Sequence, residues 1–93
     1  MPWHVVRLSV DDVELGVLKR MVDLYSEMRL SAGEPKGAPI YSRQAADGSV
    51  AVFFTPAASR IAGRYMNYCG AEVCEQPTGV SLLVGDQDDV IEI

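Results

Sequence analysis

Residues 49–76 constrain the fold of this chain most, because they combine a strand, a helix and a second strand with recognisable boundaries. The opening letters SVAVFFT are rich in β-branched and aromatic residues and are apolar on both faces, which is typical of an interior strand. Thr55 and Pro56 predict a helix start, since a threonine hydroxyl accepts a backbone amide hydrogen bond and a proline there loses none. Gly70 predicts the helix end.

The predicted helix is amphipathic. Its apolar residues recur at spacings of three and four, which places them on one stripe. That stripe consists of Ala58, Ile61, Ala62, Tyr65, Met66 and Cys69. We expect Ile61 and Tyr65 to be among its most buried members. Arg60 and Arg64 fall on the opposite side and are expected to face solvent.

The first thirty residues predict a strand followed by a helix. Alternating apolar residues indicate a strand over residues 3–10. Asp11 is a good N-cap, and Glu14 stands three residues later in a capping-box arrangement. The helix is then expected to run without interruption to about Leu30, with Gly16 as a weak point.

The remaining segments predict a loop, a hairpin and one further strand. Glycine and proline indicate a loop over residues 31–39. Strands 40–45 and 49–54 are expected to pair antiparallel through an Asp47-Gly48 turn. Val80, Leu82 and Val84 alternate in a last strand, residues 80–84, and residues 86–93 form an acidic tail.

The element order is therefore βαββαβ, with one extra C-terminal strand. This order predicts an α+β, ferredoxin-like domain over residues 1–85, with both helices on one face of an antiparallel sheet. The first strand is then central, between 49–54 and 71–76. Strand 80–84 is expected at the edge, hairpinned onto 71–76. Arg7 and Glu72 are expected to pair on the face away from the helices.

That second sheet face is the predicted working surface. Alternation places on it Val5, Arg7, Ala51, Phe53 and Cys74. Such a face is too apolar to be left wholly in water, so a second copy of the chain, a ligand or the acidic tail should cover it. We favour a homodimer, because the three apolar residues of the tail are too few to cover a sheet face.

Composition narrows the possible partners. The chain has 93 residues, two cysteines and a net charge of −5, and residues 72–93 carry six acidic and no basic residues. A nucleic-acid partner is not expected, because such surfaces are usually basic. RNA-recognition modules share the element order, but the basic and glycine pattern of their central motif is missing from SVAVFFT. The absence of a long apolar run, a secretory signal and a disulfide framework predicts a cytoplasmic protein without a membrane partner.

Histidine and cysteine offer little chemistry. Cys69 and Cys74 lie outside the usual zinc spacing, and His4 is the single histidine, so neither a metal nor a cofactor is expected. Cys74 could act as a nucleophile only if His4 met it across adjacent strands. We expect both thiols to be structural.

The beginning of the chain, P-x-H-x-V-x-L-x-V followed by an amphipathic helix, resembles the opening of the tautomerase superfamily over about thirty residues. The resemblance implies that Pro2, once Met1 is removed, acts as an N-terminal general base in keto–enol chemistry, with Arg7 or Arg43 holding a carboxylate. The chain departs from that family after the helix, where a Gly/Pro loop and a hairpin intervene. The main expectation is therefore a small association or ligand-binding module without evident catalysis, and a tautomerase-like enzyme is the alternative.

Overall fold

The computed structural model describes residues 2–33 and 37–85. In chain order these form β1 (Trp3–Leu8), α1 (Val10–Glu14), α2 (Val17–Ser31), β2 (Ile40–Gln44), β3 (Val50–Phe54), α3 (Pro56–Tyr68), β4 (Glu72–Cys74) and β5 (Ser81–Val84). The predicted acidic tail, residues 86–93, lies outside the described residues.

The strands form one five-stranded sheet in the order β4-β1-β3-β2-β5, and every neighbouring pair is antiparallel. This confirms the α+β class and the central position of β1 between β3 and β4. The β2–β3 hairpin is also confirmed. In its turn the Gly48 amide donates a hydrogen bond to the Ala45 carbonyl at 3.0 Å, and Gly48 has a φ of 94°. Only glycine adopts that backbone conformation without steric cost.

The helices pack on one face of this sheet and form the main core with it. Inward-facing strand residues meet the apolar stripes of α2 and α3 there. The fully buried members with the largest side chains in this core are Tyr25, Phe54, Met21, Ile40, Val6 and Val52. Tyr25 connects the layers, because its ring meets Phe54 edge to face and its hydroxyl donates to the Ala38 carbonyl.

The expected single helix over residues 11–30 is wrong, because the structure breaks it into α1 and α2. The break lies at Gly16, whose φ of 80° is left-handed and cannot continue a right-handed helix. The predicted caps are also displaced. Ser9, not Asp11, is the N-cap of α1, and Asp12, not Glu14, completes its capping box. Ser9 is the N-cap because its hydroxyl accepts a hydrogen bond from the Asp12 amide. The strand therefore ends two residues earlier than predicted.

Both ends of α3 lie where the sequence predicts them. The Thr55 hydroxyl accepts the Ala58 amide at 3.3 Å and donates to the Pro39 carbonyl at 2.8 Å. Gly70 has a φ of 72° directly after the C-cap. The amides of Gly70 and Ala71 bond back to the Asn67 and Met66 carbonyls, which is the Schellman arrangement.

The predicted order of burial within α3 is wrong. Ala58, Ala62 and Met66 are buried, whereas Ile61 and Tyr65 are only partly buried at the margin of the core. The small residues lie directly over the sheet, where they allow the helix backbone to approach closely. Ile61 instead faces the space between α2 and α3. Arg60 is exposed, as predicted.

The last strand, β5, lies at an edge of the sheet, as predicted, but at the opposite edge from the predicted one. β5 pairs with β2, not with β4. The connection, residues 75–80, must therefore pass four strand spacings, about 19 Å. The seven peptide steps from Cys74 to Ser81 reach about 25 Å at most, so this segment has to run almost directly across the sheet. A local turn at 77–79 cannot provide that crossing.

The crossing connection covers much of the face away from the helices. This side of the sheet is called the outer face, and it contains a second cluster of buried residues, the outer cluster. Its members are Trp3, Val5, Tyr41 and Phe53, which are 5%, 2%, 2% and 3% exposed respectively. Val80 and Leu82 pack against this cluster, and Pro77 within the connection is itself buried. The expectation that Val5 and Phe53 need a second copy or a ligand to cover them is therefore wrong, and the third expected cover, the acidic tail, lies outside the described residues. A homodimer stays a prediction, but an uncovered apolar sheet face no longer supports it.

No helix within residues 2–33 and 37–85 is long and apolar enough to cross a membrane.

Candidate functional site

The residues predicted to form a binding face all lie on the sheet side away from the helices, but they differ in accessibility. Val5 and Phe53 are buried beneath the connection, whereas Ala51 and Cys74 are half-buried and Arg7 is exposed. The accessible part of this face is therefore the end of the sheet that contains Arg7 and Ala51.

Arg7 and Arg43 flank Ala51 in one row across three strands. Ala51 on β3 is the register partner of Arg7 on β1 and of Arg43 on β2. Residues directly opposite one another in an antiparallel sheet project to the same face. Because the alanine methyl is short, it leaves an open space between the two arginines.

This space is a cavity of about 490 Å³. It lies where β1 ends and the β2–β3 hairpin begins. Its walls are formed by Arg7, Leu8, Ser9, Arg43, Gln44, Ala45, Ser49, Val50 and Ala51. Two arginines, three residues with polar side chains and a small apolar floor therefore line a volume of the size that small ligands occupy.

Arg43 is held in place by two contacts. Its Nη1 donates to the Thr78 carbonyl at 2.9 Å, and its guanidinium lies 5.1 Å from the centre of the Phe53 ring. Thr78 belongs to the crossing connection, so the segment that covers the sheet also positions this arginine. The sequence pattern does not predict this arrangement. Alternation alone places Arg43 on the outer face, but nothing local to it signals Thr78.

Arg7 makes a weaker contact. Its Nε lies 3.8 Å from Glu72 Oε2, as the predicted pairing of β1 with β4 requires, and the two side chains are 66% and 67% exposed. Exposed ion pairs contribute about 0–1 kcal/mol. A ligand in the cavity can therefore compete with Glu72 for Arg7 at little cost.

Ser49 at the cavity wall is oriented by a carboxylate. Its amide and hydroxyl donate to Asp47 Oδ1 at 2.9 and 2.7 Å. The Ser49 hydroxyl, followed by the Ser49 amide, lowers the pKa of Asp47. Asp47 is thus a negative charge in the turn beside the cavity wall.

The structure does not bring Cys74 and His4 together. Cys74 packs against the outer cluster, whereas the His4 side chain is on the helix side, where its Nδ1 lies 2.9 Å from Ser59 Oγ. Burial raises the pKa of the Cys74 thiol, and the nearby Arg7 only partly offsets this. Cys74 is therefore not an activated nucleophile with a histidine base.

Pro2 lines a smaller cavity of about 220 Å³ at the opposite end of β1, together with His4, Pro56, Ser59 and Arg60. Arg7, one of the two arginines expected to hold the carboxylate, is five residues further along an extended strand, about 16 Å away. Arg43, the other, lies in the same row as Arg7 across the sheet. The arginine that borders the Pro2 cavity is Arg60. This placement follows from the packing of α3 on β1 and has no local sequence signal.

A third cavity, of about 530 Å³, lies between α2 and α3 and is bordered by Leu24, Met28, Ile61 and Arg60 among others. Within the described ranges 2–33 and 37–85, no three histidine, cysteine, aspartate or glutamate side chains come together as a metal site would require.

Comparison with known proteins identifies no relative of this chain: no family model matches it, and neither a curated protein nor a solved structure gives a significant match.

Proposed function

We propose that this chain is a small ligand-binding module whose working surface is the accessible end of the outer sheet face. The observation that carries the proposal is the row Arg7–Ala51–Arg43 at the cavity between β1 and the β2–β3 hairpin. Two arginines that flank a small apolar residue, one of them held by the connection, form a recognition site without an evident nucleophile or general base.

The strand order supports a finer assignment of the fold. We infer a ferredoxin-like arrangement for β1 to β4, because β4-β1-β3-β2 is the order in which two right-handed βαβ crossovers interleave. β5 is then an addition beside β2. Its connection divides the outer face into a covered part around Phe53 and an accessible part around Ala51, and ligand binding is proposed for the latter.

A mixture of small acidic, basic and neutral fragments, followed by backbone amide NMR shifts, tests the proposal. We expect fragments that bind to shift the amides of Gln44, Ser49 and Ala51 first, since these residues line the cavity. Ala51→Leu fills the space between the arginines and should abolish the shifts. The matched control is Ala57→Leu, which changes the same residue type at the helix cavity.

Fragments that shift only residues outside this cavity, or that bind Ala51→Leu unchanged, would contradict the proposed function. The unfolding midpoints of both leucine variants should be measured in urea beforehand, so that loss of binding is separated from loss of structure.

A tautomerase-like enzyme is the second candidate, and one observation favours it. Pro2 and Arg60 both line one cavity, so the residue whose nitrogen would become an amine on removal of Met1 lies near a residue that can bind a carboxylate. On this proposal Met1 is removed, the Pro2 nitrogen takes a proton from the carbon beside a keto group, and Arg60 binds the substrate carboxylate.

Intact-mass measurement and an enolisation assay with phenylpyruvate test this candidate. We expect a mass lower by one methionine and an enolisation rate that falls about 100-fold or more in Pro2→Ala. Arg60→Gln should raise KM for the keto acid, whereas Arg64→Gln, one helical turn away and exposed, should not. Retention of Met1, or equal rates for Pro2→Ala and the unmodified chain, would exclude the enzyme.

A further inference from the structure

We infer that the ligand of the Arg7–Arg43 cavity is a small anion, a carboxylate or phosphate compound whose oxygen atoms bridge the two guanidinium groups above Ala51. This inference rests on the proposed ligand-binding function and specifies the chemical class of the ligand.

The spacing of the row suits one bridging group. Arg7 and Arg43 stand two strand spacings apart, about 10 Å between their Cα atoms. Two arginine side chains that lean towards Ala51 from either side can reach a common acceptor, because the methyl between them does not obstruct either. Guanidinium forks pair with carboxylate and phosphate oxygens in bidentate geometry, which favours these anions over halides.

Arg43 is already restricted, and its guanidinium lies over the ring of Phe53, two residues from Ala51 along β3. Its contacts with Thr78 and Phe53 restrict the guanidinium before any ligand arrives. The bond to Thr78 uses one of the five N–H donors of the group, so the remaining fork can point at a ligand. A side chain that is held beforehand loses less conformational entropy on binding, which strengthens the interaction.

The charges around the cavity set the character of the anion. Arg7 and Arg43 are opposed by Glu72 at 3.8 Å from Arg7, while Asp47 is turned towards Ser49. A ligand with one diffuse charge gains little by displacing Glu72. A phosphate, or two carboxylates on a short chain, can engage both guanidinium groups and replaces that exposed pair with stronger contacts.

The experiment uses the whole chain with four probes: inorganic phosphate, succinate, acetate and the uncharged succinamide. We expect phosphate or succinate to give saturable shifts at the amides of Gln44, Ser49 and Ala51. Acetate should bind at least about tenfold more weakly, and succinamide should not bind. Phosphate alone would indicate a phosphoryl ligand, and succinate alone a dicarboxylate. The apparent Kd should rise with added sodium chloride.

Four variants assign the effect to the two arginines. Arg7→Gln and Arg43→Gln should each raise Kd by about tenfold or more, whereas Arg64→Gln on the exposed side of α3 should leave it unchanged. Because Arg43 also holds the connection, Arg43→Lys keeps the charge and separates the two roles. Arg7 is exposed, so Arg7→Gln is expected to fold normally and decides the question by itself.

Equal binding of succinamide and succinate, or an unchanged Kd in Arg7→Gln, would overturn the anion assignment while leaving ligand binding in place. If only neutral fragments shift the amide signals of the cavity residues, the anion assignment likewise fails, whereas the proposed ligand-binding function is retained. If neither anions nor fragments shift these residues, the proposed function itself fails.

Discussion

At the scale of single residues, Gly63 inside α3 and Gly70 just after its C-cap differ in backbone conformation. Gly70 has a φ of 72°, whereas Gly63 lies inside the helix, and an added Cβ meets no atom within 4 Å at either position. Left-handed backbone disfavours alanine, so we expect Gly70→Ala to lower the free energy of unfolding by about 1 kcal/mol. Gly63→Ala should raise it by about 1 kcal/mol, because alanine is the better helix former.

Urea titrations of the two variants measure these opposite effects. A loss at both positions would mean that neighbouring side chains, not backbone conformation, control the outcome.

Tyr65 gives the chain a dependence on alkaline pH. Burial, followed by the hydrogen bond to Cys69, raises the pKa of Tyr65 to about 12. The unfolded tyrosine ionises near pH 10, so between about pH 10 and 12 the unfolded state binds fewer protons than the folded state. This contribution to stability is therefore complete below about pH 10 and is lost as the pH rises towards 12.

Tyr65→Phe removes that titration. We expect the unfolding midpoint of the variant to fall less steeply between pH 10 and 12 than that of the unmodified chain. Parallel curves for the two proteins would show that Tyr65 ionises alike in both states.

At the scale of elements, α3 is anchored by its methionine and alanines. Met66 is 3% exposed within the main core, so Met66→Ala should cost about 2–5 kcal/mol. Ile61→Ala should cost less, because Ile61 is only partly buried. Arg64→Ala, on the exposed side, should stay within about 0.5 kcal/mol.

Chemical denaturation of the three variants gives this order directly. A larger loss for Ile61→Ala than for Met66→Ala would place the buried stripe where the sequence pattern alone suggests it.

At the scale of the whole molecule, the part of the outer face around Phe53 is covered by the chain's own β4–β5 connection. Phe53 is 3% exposed in one chain, so Phe53→Ala should cost about 3–5 kcal/mol through lost burial and the cavity left behind. The loss should be the same at low and high micromolar protein concentration, because no second copy is needed to cover the ring. Arg7→Ala, exposed on the same face, should cost within about 0.5 kcal/mol.

Thermal unfolding across that concentration range tests the point. A cost for Phe53→Ala that vanishes on dilution would mean that a partner copy buries the ring, and would restore the physical reason for a homodimer.

Local signals determined much of the fold by themselves. Thr55, Gly70 and the Asp47-Gly48 turn lie where predicted, because caps and turns depend on hydrogen bonds and backbone angles within a few residues. Strand alternation also placed Arg7 and Ala51 on the outer face, because side chains project alternately from any strand. These features predict the α+β class and, within the candidate site, the face on which Arg7 and Ala51 lie.

The tertiary structure decided what depends on distant partners. Gly16 breaks the first helix, although its sequence context allows a continuous one. β5 pairs with β2 across the sheet, and Val80 of the crossing connection packs against the cluster on the outer face, a contact that no local pattern encodes. Arg43 owes its orientation to Thr78, 35 residues away in sequence. Alternation fixes only the face on which a side chain lies, whereas its partners there depend on which strands the folded chain brings together.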